Sequence, residues 1–206
     1  MNTPWDNVEH FEGLIAEYAG SDYAVAVDSC TNALFLSLKL LDSSGPIIVP
    51  IHTYISVPMQ VAHCNYKIQF EDIQWSGSYS LDPLPIIDSA QRFTENMYTP
   101  GTLHCLSFHS KKLLSIGRGG MILTNDKSAR DWLRRSRHDG RPSIYSKDMT
   151  YHNVPTLGWH MYMTPEQAVR GIEQFYKTPT ANKDSGCSDD YELDLSQVAC
   201  FKPCIV

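Results

Sequence analysis

A chain of 206 residues, 42% hydrophobic and 19% charged, is long enough to bury a sizeable core and has the composition of an ordinary globular protein. Its net charge of −6 argues against a general binder of nucleic acid or of a membrane surface. No apolar run approaches the ~20 residues that span a bilayer. The opening MNTPWDNVEH lacks the basic and apolar regions of a signal peptide, so the cytoplasm is the expected location. The six cysteines are scattered, with only Cys200 and Cys204 in a CxxxC spacing, and the histidines form no HExxH pattern. Reduced thiols and no metal site are the expectation.

In chain order, residues 6–19 read as an amphipathic helix, with Val8, Phe11, Leu14, Ile15 and Tyr18 on one face and Gly20 as its stop. Tyr23–Val27 is a short strand of the buried type. Asp28–Asn32 then supplies capping residues for a helix from Ala33 to about Leu41. Pro46–Pro50 is a second strand, Ile55–Ala62 a helix with Pro58 in its first turn, and Tyr66–Glu71 a third strand. Further apolar runs follow, LPII before Asp88 and HCL before Ser107. A glycine-led strand, GMILTN, occupies 120–125. The basic stretch WLRRSRHDGR predicts helix and then loop, and Thr164-Pro165-Glu166-Gln167 opens a last helix running to about Tyr176. From Thr178 onward the composition is that of turns and disorder.

Alternating strands and helices imply βαβ units and a mainly parallel sheet, whose ligands bind at the carboxyl ends of the strands. Four polar clusters fall at such ends: Asp28–Asn32, His52–Tyr54, Asp88–Gln91 and Ser107–Lys112. Each has a bland reading. Thr31 and Asn32 can simply cap a helix, Asp88 can pair with an arginine, and Lys111-Lys112 can be a solvated basic pair. Together they offer a phosphate cradle at a helix start, a carboxylate for a protonated ring nitrogen, a tyrosine (Tyr54) to stack on a ring, and an amine for a Schiff base. Phosphate, ring nitrogen, ring face and aldehyde are the features of pyridoxal 5′-phosphate.

At these residues the sequence resembles the DegT-type (DegT/DnrJ/EryC1/StrS) sugar aminotransferases, pyridoxal-phosphate enzymes of the aspartate aminotransferase fold, fold type I. FEGLIAEYAGSDYAVAVDSCTNALFLSL is similar to that family's N-terminal helix, first strand and SGTxAL loop. IIVPIHTYIS is similar to its VPxxTF stretch, IIDSAQ to its EDxAQ, and SFHSKKLLSIGRGGMILTND to its SFxxxKxxxxGEGGxxxTND. LGWHMYMTPEQA is similar to its GxNxRMxxxQA, and the likeness covers roughly residues 8–176.

The resemblance implies a three-layer αβα fold with a mainly parallel sheet of about six strands. It assigns residues 1–177 to a shortened cofactor-binding large domain and 178–206 to a weakly structured tail, with the C-terminal small domain largely missing. Lys112 would form the Schiff base and carry protons, and Asp88 would keep the ring nitrogen protonated. Gln91 would contact the ring's phenolic oxygen, Tyr54 would stack on the ring, and Thr31, Asn32 and Ser107 would hold the phosphate. The implied reaction is amino transfer, usually from glutamate, to the keto group of a nucleotide-linked sugar, in a homodimer.

Several positions depart from the pattern. Cys30 stands where the phosphate loop usually has glycine, Arg118 replaces the glutamate of GEGG, and His160 and Tyr162 replace the asparagine and arginine of GxNxRM. Between Asp82 and Ile86 there is no room for a strand and helix that the family places there, and the sheet is expected to close across the gap. These departures keep two alternatives open: a degenerate cofactor-binding protein without sugar transamination, and a different reaction such as sugar dehydration. Relatives that dehydrate carry histidine in place of the lysine, which Lys112 speaks against.

Overall fold

The computed structural model describes residues 3–142 and 154–206. Five helices and seven strands follow the chain as α1 (Asp6–Ala19), β1 (Tyr23–Val27), α2 (Cys30–Leu40), β2 (Ile47–Pro50), α3 (Ser56–His63), β3 (Ile68–Glu71), β4 (Tyr79–Ser80), β5 (Ile86–Asp88), β6 (Leu103–Ser107), β7 (Gly120–Thr124), α4 (Lys127–Ser136) and α5 (Pro165–Phe175). The local signals act as the sequence suggests. Gly20 sits at φ 79°, where only glycine is unstrained, and its N–H closes α1 on Ala16 and Glu17 carbonyls. The Ser29 side chain accepts the Asn32 N–H at the start of α2. Thr164 and Gln167 exchange bonds in a capping box that starts α5, with Pro165 in its first turn.

The sheet alternates its side chains between two cores, which makes the fold three-layered. Val25 and Val27 of β1, Cys105 of β6 and Ile122 of β7 face α2, α3 and α4. Ala24, Ala26, Leu106, Met121 and Leu123 face α1 and α5. On that second face α1 and α5 approach closely because position 171 is glycine; a Cβ there would stand 2.5 Å from Cζ of Phe11, which is fully buried.

The expectation of a mainly parallel, six-stranded sheet requires correction. The main sheet has five strands in the order β1-β7-β6-β5-β4, and only β5–β6 are parallel neighbours. β7 runs between β1 and β6 and is antiparallel to both, so β1, β5 and β6 still point the same way. The gap between β3 and β5 does not close into one ladder either. β4 folds back on β5 and takes its free edge through Tyr79–Asp88 and Ser80–Ile87 pairs. β2 and β3 therefore pair with each other as a separate parallel ribbon, tied to the β4–β5 turn by the Ile48 N–H on the Asp82 carbonyl, 2.8 Å.

Residues 178–206 form short 3-10 turns at Ser188–Asp190, Leu195–Gln197 and Ala199–Cys204. Their composition predicts weak structure, yet Leu195 and Phe201 are buried in the core that faces α2 and α3. Asp184 also receives two hydrogen bonds from Arg92, each 2.8 Å. Among the described residues no helix is long and apolar enough to cross a membrane.

Candidate active site

The shared direction of β1, β5 and β6 brings the residues after all three to one edge of the sheet, where a cavity of about 620 Å³ opens. That size suits a small organic ligand. Its walls carry Thr31 from the start of α2, Tyr54 from the loop after β2, Asp88 and Gln91 from the end of β5, and Ser107 and Lys112 from the end of β6. Six of the seven residues singled out in the sequence thus meet in one space. Asn32 does not. Its side-chain amide donates to Asp28 Oδ1 at 2.6 Å and its backbone N–H is taken by Ser29 Oγ, so it braces the loop from behind.

Two glycines make this convergence possible. A Cβ on Gly120 would lie 2.4 Å from the Ser29 carbonyl carbon and 2.6 Å from the Cys30 nitrogen, so β7 touches the α2 entry backbone to backbone. A Cβ on Gly119 would come within 2.8 Å of Ile116. The GG pair after Arg118 therefore lets the lysine loop lie against the phosphate-loop candidate.

Asp88 is 5% exposed. Oδ1 accepts the Ala90 N–H at 2.9 Å and Oδ2 accepts the Tyr79 hydroxyl at 2.8 Å; Tyr79 is in turn 2.6 Å from Thr53 Oγ1. Burial raises the Asp88 pKa, against the lowering effect of those bonds and of the Lys112 charge. Asp88 forms none of the salt bridges among the described residues, so the arginine reading is not realised. A buried carboxylate with spare lone pairs facing a cavity is suited to a cationic N–H donor.

Lys112 is half-buried, and burial holds its pKa below the ordinary lysine value; Cys30 and Asp88 pull it up and Lys111 pushes it further down. The neighbouring Lys111 is exposed. The two lysines therefore differ, and only Lys112 combines partial desolvation with a carboxylate across the same cavity. Thr31 Oγ1 lies 2.9 Å from Ser56 Oγ, and Ser29 and Ser107 add hydroxyls around the N-terminus of α2. That is an anion-binding composition. Tyr54 stands at the mouth, 59% exposed.

Sequence reasoning missed several wall residues. Tyr79 lies in a Ser/Gly-rich stretch with no strand signal. Thr53 and Ser56 lie in the quoted IIVPIHTYIS stretch but were given no role, Trp75 carried no motif, and Ser185, Asp190 and Tyr191 come from the segment read as disordered. Cys30 is buried at the wall, its thiol pushed well above the usual range by burial and by Asp88. Arg118 stands exposed on the cavity wall and donates to Asp28 Oδ2 at 2.7 Å. His160 lies away from the cavity, 3.2 Å from Asp139 Oδ2.

The chain matches the DegT/DnrJ/EryC1/StrS aminotransferase family over residues 2–95 and 95–186. It is 25% identical to the spore coat polysaccharide biosynthesis protein SpsC of Bacillus subtilis, across 85% of this chain and 58% of that protein. It is likewise 25% identical to GDP-perosamine synthase of Caulobacter vibrioides, across 84% of this chain and 59% of that protein. The solved aminotransferase from Psychrobacter cryohalolentis superposes with a TM-score of 0.70 at 21% identity, covering 84% of this chain and 56% of that one. The fold is shared with that enzyme, and the chain spans a little under 60% of the length of the curated relatives it matches.

Proposed function

Because the chain belongs to the DegT/DnrJ/EryC1/StrS aminotransferase family, we propose that its cavity holds pyridoxal 5′-phosphate and moves an amino group from an amino acid, such as glutamate, to the keto group of a nucleotide-linked sugar. One observation carries this reading: Lys112 and the buried, arginine-free Asp88 stand at adjacent strand ends and face one cavity. The residues present fit the cofactor. A buried carboxylate without a cationic partner among the described residues suits the ring nitrogen, a partly desolvated lysine suits the aldehyde, and a ring of hydroxyls at a helix N-terminus suits the phosphate.

When bound, pyridoxal phosphate supplies an aldehyde that takes up the amine and a protonated ring that draws electrons from the substrate carbon. Asp88 holds the proton on the ring nitrogen, with Tyr79 and Ala90 fixing the carboxylate plane. Lys112 Nζ, whose pKa burial holds below the ordinary lysine value, would bond the aldehyde and then carry the proton from the substrate carbon. Gln91 donates its amide N–H to the ring oxygen. Thr31, Ser56 and Ser107 bind the phosphate oxygens at the positive end of α2. Tyr54, at the mouth, covers the ring and excludes water.

The names of the relatives support the acceptor class, since GDP-perosamine is a nucleotide-linked sugar. The proposal extends to a homodimer in the cytoplasm, in keeping with the family resemblance and with six cysteines that are all free. A second reading, a cofactor binder without sugar transamination, draws on the Arg118–Asp28 pair beside the phosphate loop. Visible absorbance separates the two. Added pyridoxal phosphate should give a band that shifts when glutamate follows, with 2-oxoglutarate released. A band indifferent to glutamate would favour the second reading, and no band would refute both.

A further inference from the structure

The segment 184–191 is latched across the Asp88–Gln91 loop by an unusually complete set of contacts. Arg92 grips Asp184 through Nε and a terminal nitrogen, and also donates to Ser78 Oγ and the Ser76 carbonyl. The Gly77 N–H donates to the Gly186 carbonyl, the Gln91 N–H to the Gly77 carbonyl, and the Ser185 N–H to the Gln91 carbonyl, at 2.9, 3.2 and 2.8 Å. Two further bonds from this segment hold the Gln91 side chain. Ser185 Oγ donates to Gln91 Oε1 at 2.9 Å, and Gln91 Nε2 donates to the Tyr191 hydroxyl at 3.1 Å. Gly186 passes so close over the amide that a Cβ there would lie 2.9 Å from both Gln91 Cδ and Nε2, with Asp190 Oδ2 at 2.8 Å on its other side. Tyr191 is itself held by its ring against Trp75, 5.7 Å between centroids.

We propose that Ser185 and Tyr191 are positioning residues that lock the Gln91 amide so that its second N–H points at the cofactor's ring oxygen. The proposal rests on the pyridoxal phosphate reading above. With its oxygen bound by Ser185, whose hydroxyl also reaches the Gln91 carbonyl at 3.1 Å, and one N–H bound by Tyr191, the amide is restrained and has one N–H left over on a residue that lines the cavity. With the cofactor held there, loss of the proton from Lys112 Nζ would leave the negative charge on the ring oxygen to be met by protein donors. A donor aimed there favours that deprotonated form and lowers the pH at which the visible band changes. Freeing the amide should raise this midpoint.

The test is a pH titration of the visible band, together with pyridoxal phosphate affinity read from the quenching of tryptophan fluorescence. Tyr191→Phe and Ser185→Ala should keep the band, raise its midpoint by roughly half a unit or more, and weaken affinity by roughly threefold to tenfold. Glu192→Gln, an exposed change in the same segment, should match the wild type. Gly186→Ala, which keeps both hydroxyls but displaces the amide, should reproduce the raised midpoint, and it decides the matter if the Phe variant fails to fold. Midpoints equal to the wild type in Tyr191→Phe, Ser185→Ala and Gly186→Ala, or an equal shift in Glu192→Gln, would overturn the proposal and leave the segment as packing. If the wild type itself showed no band, the cofactor reading would fall and this proposal with it, an outcome distinct from unchanged midpoints.

Discussion

Replacing Asp88 with asparagine should cost activity without costing stability, and the structure gives both signs. Burial raises the Asp88 pKa in the cofactor-free protein, so its charged form is disfavoured relative to the unfolded chain. A carboxyl with a raised folded pKa contributes stability that is fully present below the ordinary carboxylate range and is lost as pH rises through the folded value. Asparagine is neutral throughout and removes that loss. The hydrogen bonds survive: its oxygen still accepts the Ala90 N–H, and its amide can donate to Tyr79 once the Tyr79–Thr53 bond reverses direction, which two hydroxyls permit. The cofactor-free variant should therefore melt no lower than the wild type at pH 8, with a flatter dependence of Tm on pH. Catalysis should suffer, because an opposite charge at contact distance shifts a partner's pKa by ~1–3 units. The protonated ring, and with it the rate of the glutamate half-reaction, should fall about 10- to 1,000-fold. Scanning calorimetry and stopped-flow absorbance measure the two effects. A variant that unfolds, or one that keeps the wild-type rate, would refute the assignment of Asp88.

Other substitutions probe the frame around the site. Glu12 lies on the buried face of α1, where burial pushes its pKa up but Arg137, Arg134 and the Ala26 N–H outweigh that and hold it low. Its contribution is present above the ordinary glutamate range and lost as pH falls through the folded value. Glu12→Gln should destabilise by ~3–5 kcal/mol at neutral pH in denaturant melts, through an uncompensated buried arginine. Gly120→Ala should cost ~1–3 kcal/mol and weaken cofactor binding, because the new methyl meets the Ser29–Cys30 backbone. Fluorescence titration checks the binding loss. The rate of pyridoxal phosphate capture should rise with pH with a midpoint below the ordinary lysine value of 10.5, and Lys112→Ala should abolish it while leaving Lys111 in place.

Much of the fold was legible because its signals are local. The apolar spacing of α1, the Gly20 stop and the Thr164–Gln167 cap each act within one or two turns. Strand direction was not legible, because fully buried strands read as plain apolar runs whether their neighbours are parallel or antiparallel. Nothing in GMILT says that it inserts between β1 and β6. The two-residue β4 is too short to show a period, yet it decides that β2 and β3 stand apart. At the candidate site, motif chemistry at strand ends pointed to Lys112, Asp88, Gln91 and Thr31, which line one cavity. Asn32 stands off the cavity because Asp28, one turn earlier, captures its amide, a spacing visible in the sequence. Ser185 and Tyr191 were missed because a Ser/Asp-rich stretch reads as disorder, whereas the Arg92–Asp184 pair and the Leu195 and Phe201 anchors order it through contacts some 90 residues or more away in the chain.

The most direct test of the central claim is borohydride reduction of the protein with pyridoxal phosphate, followed by peptide mass mapping. The account predicts a single pyridoxyl adduct on Lys112, absent from Lys112→Ala. An adduct on Lys111 or elsewhere, or no adduct at saturating cofactor, would contradict it.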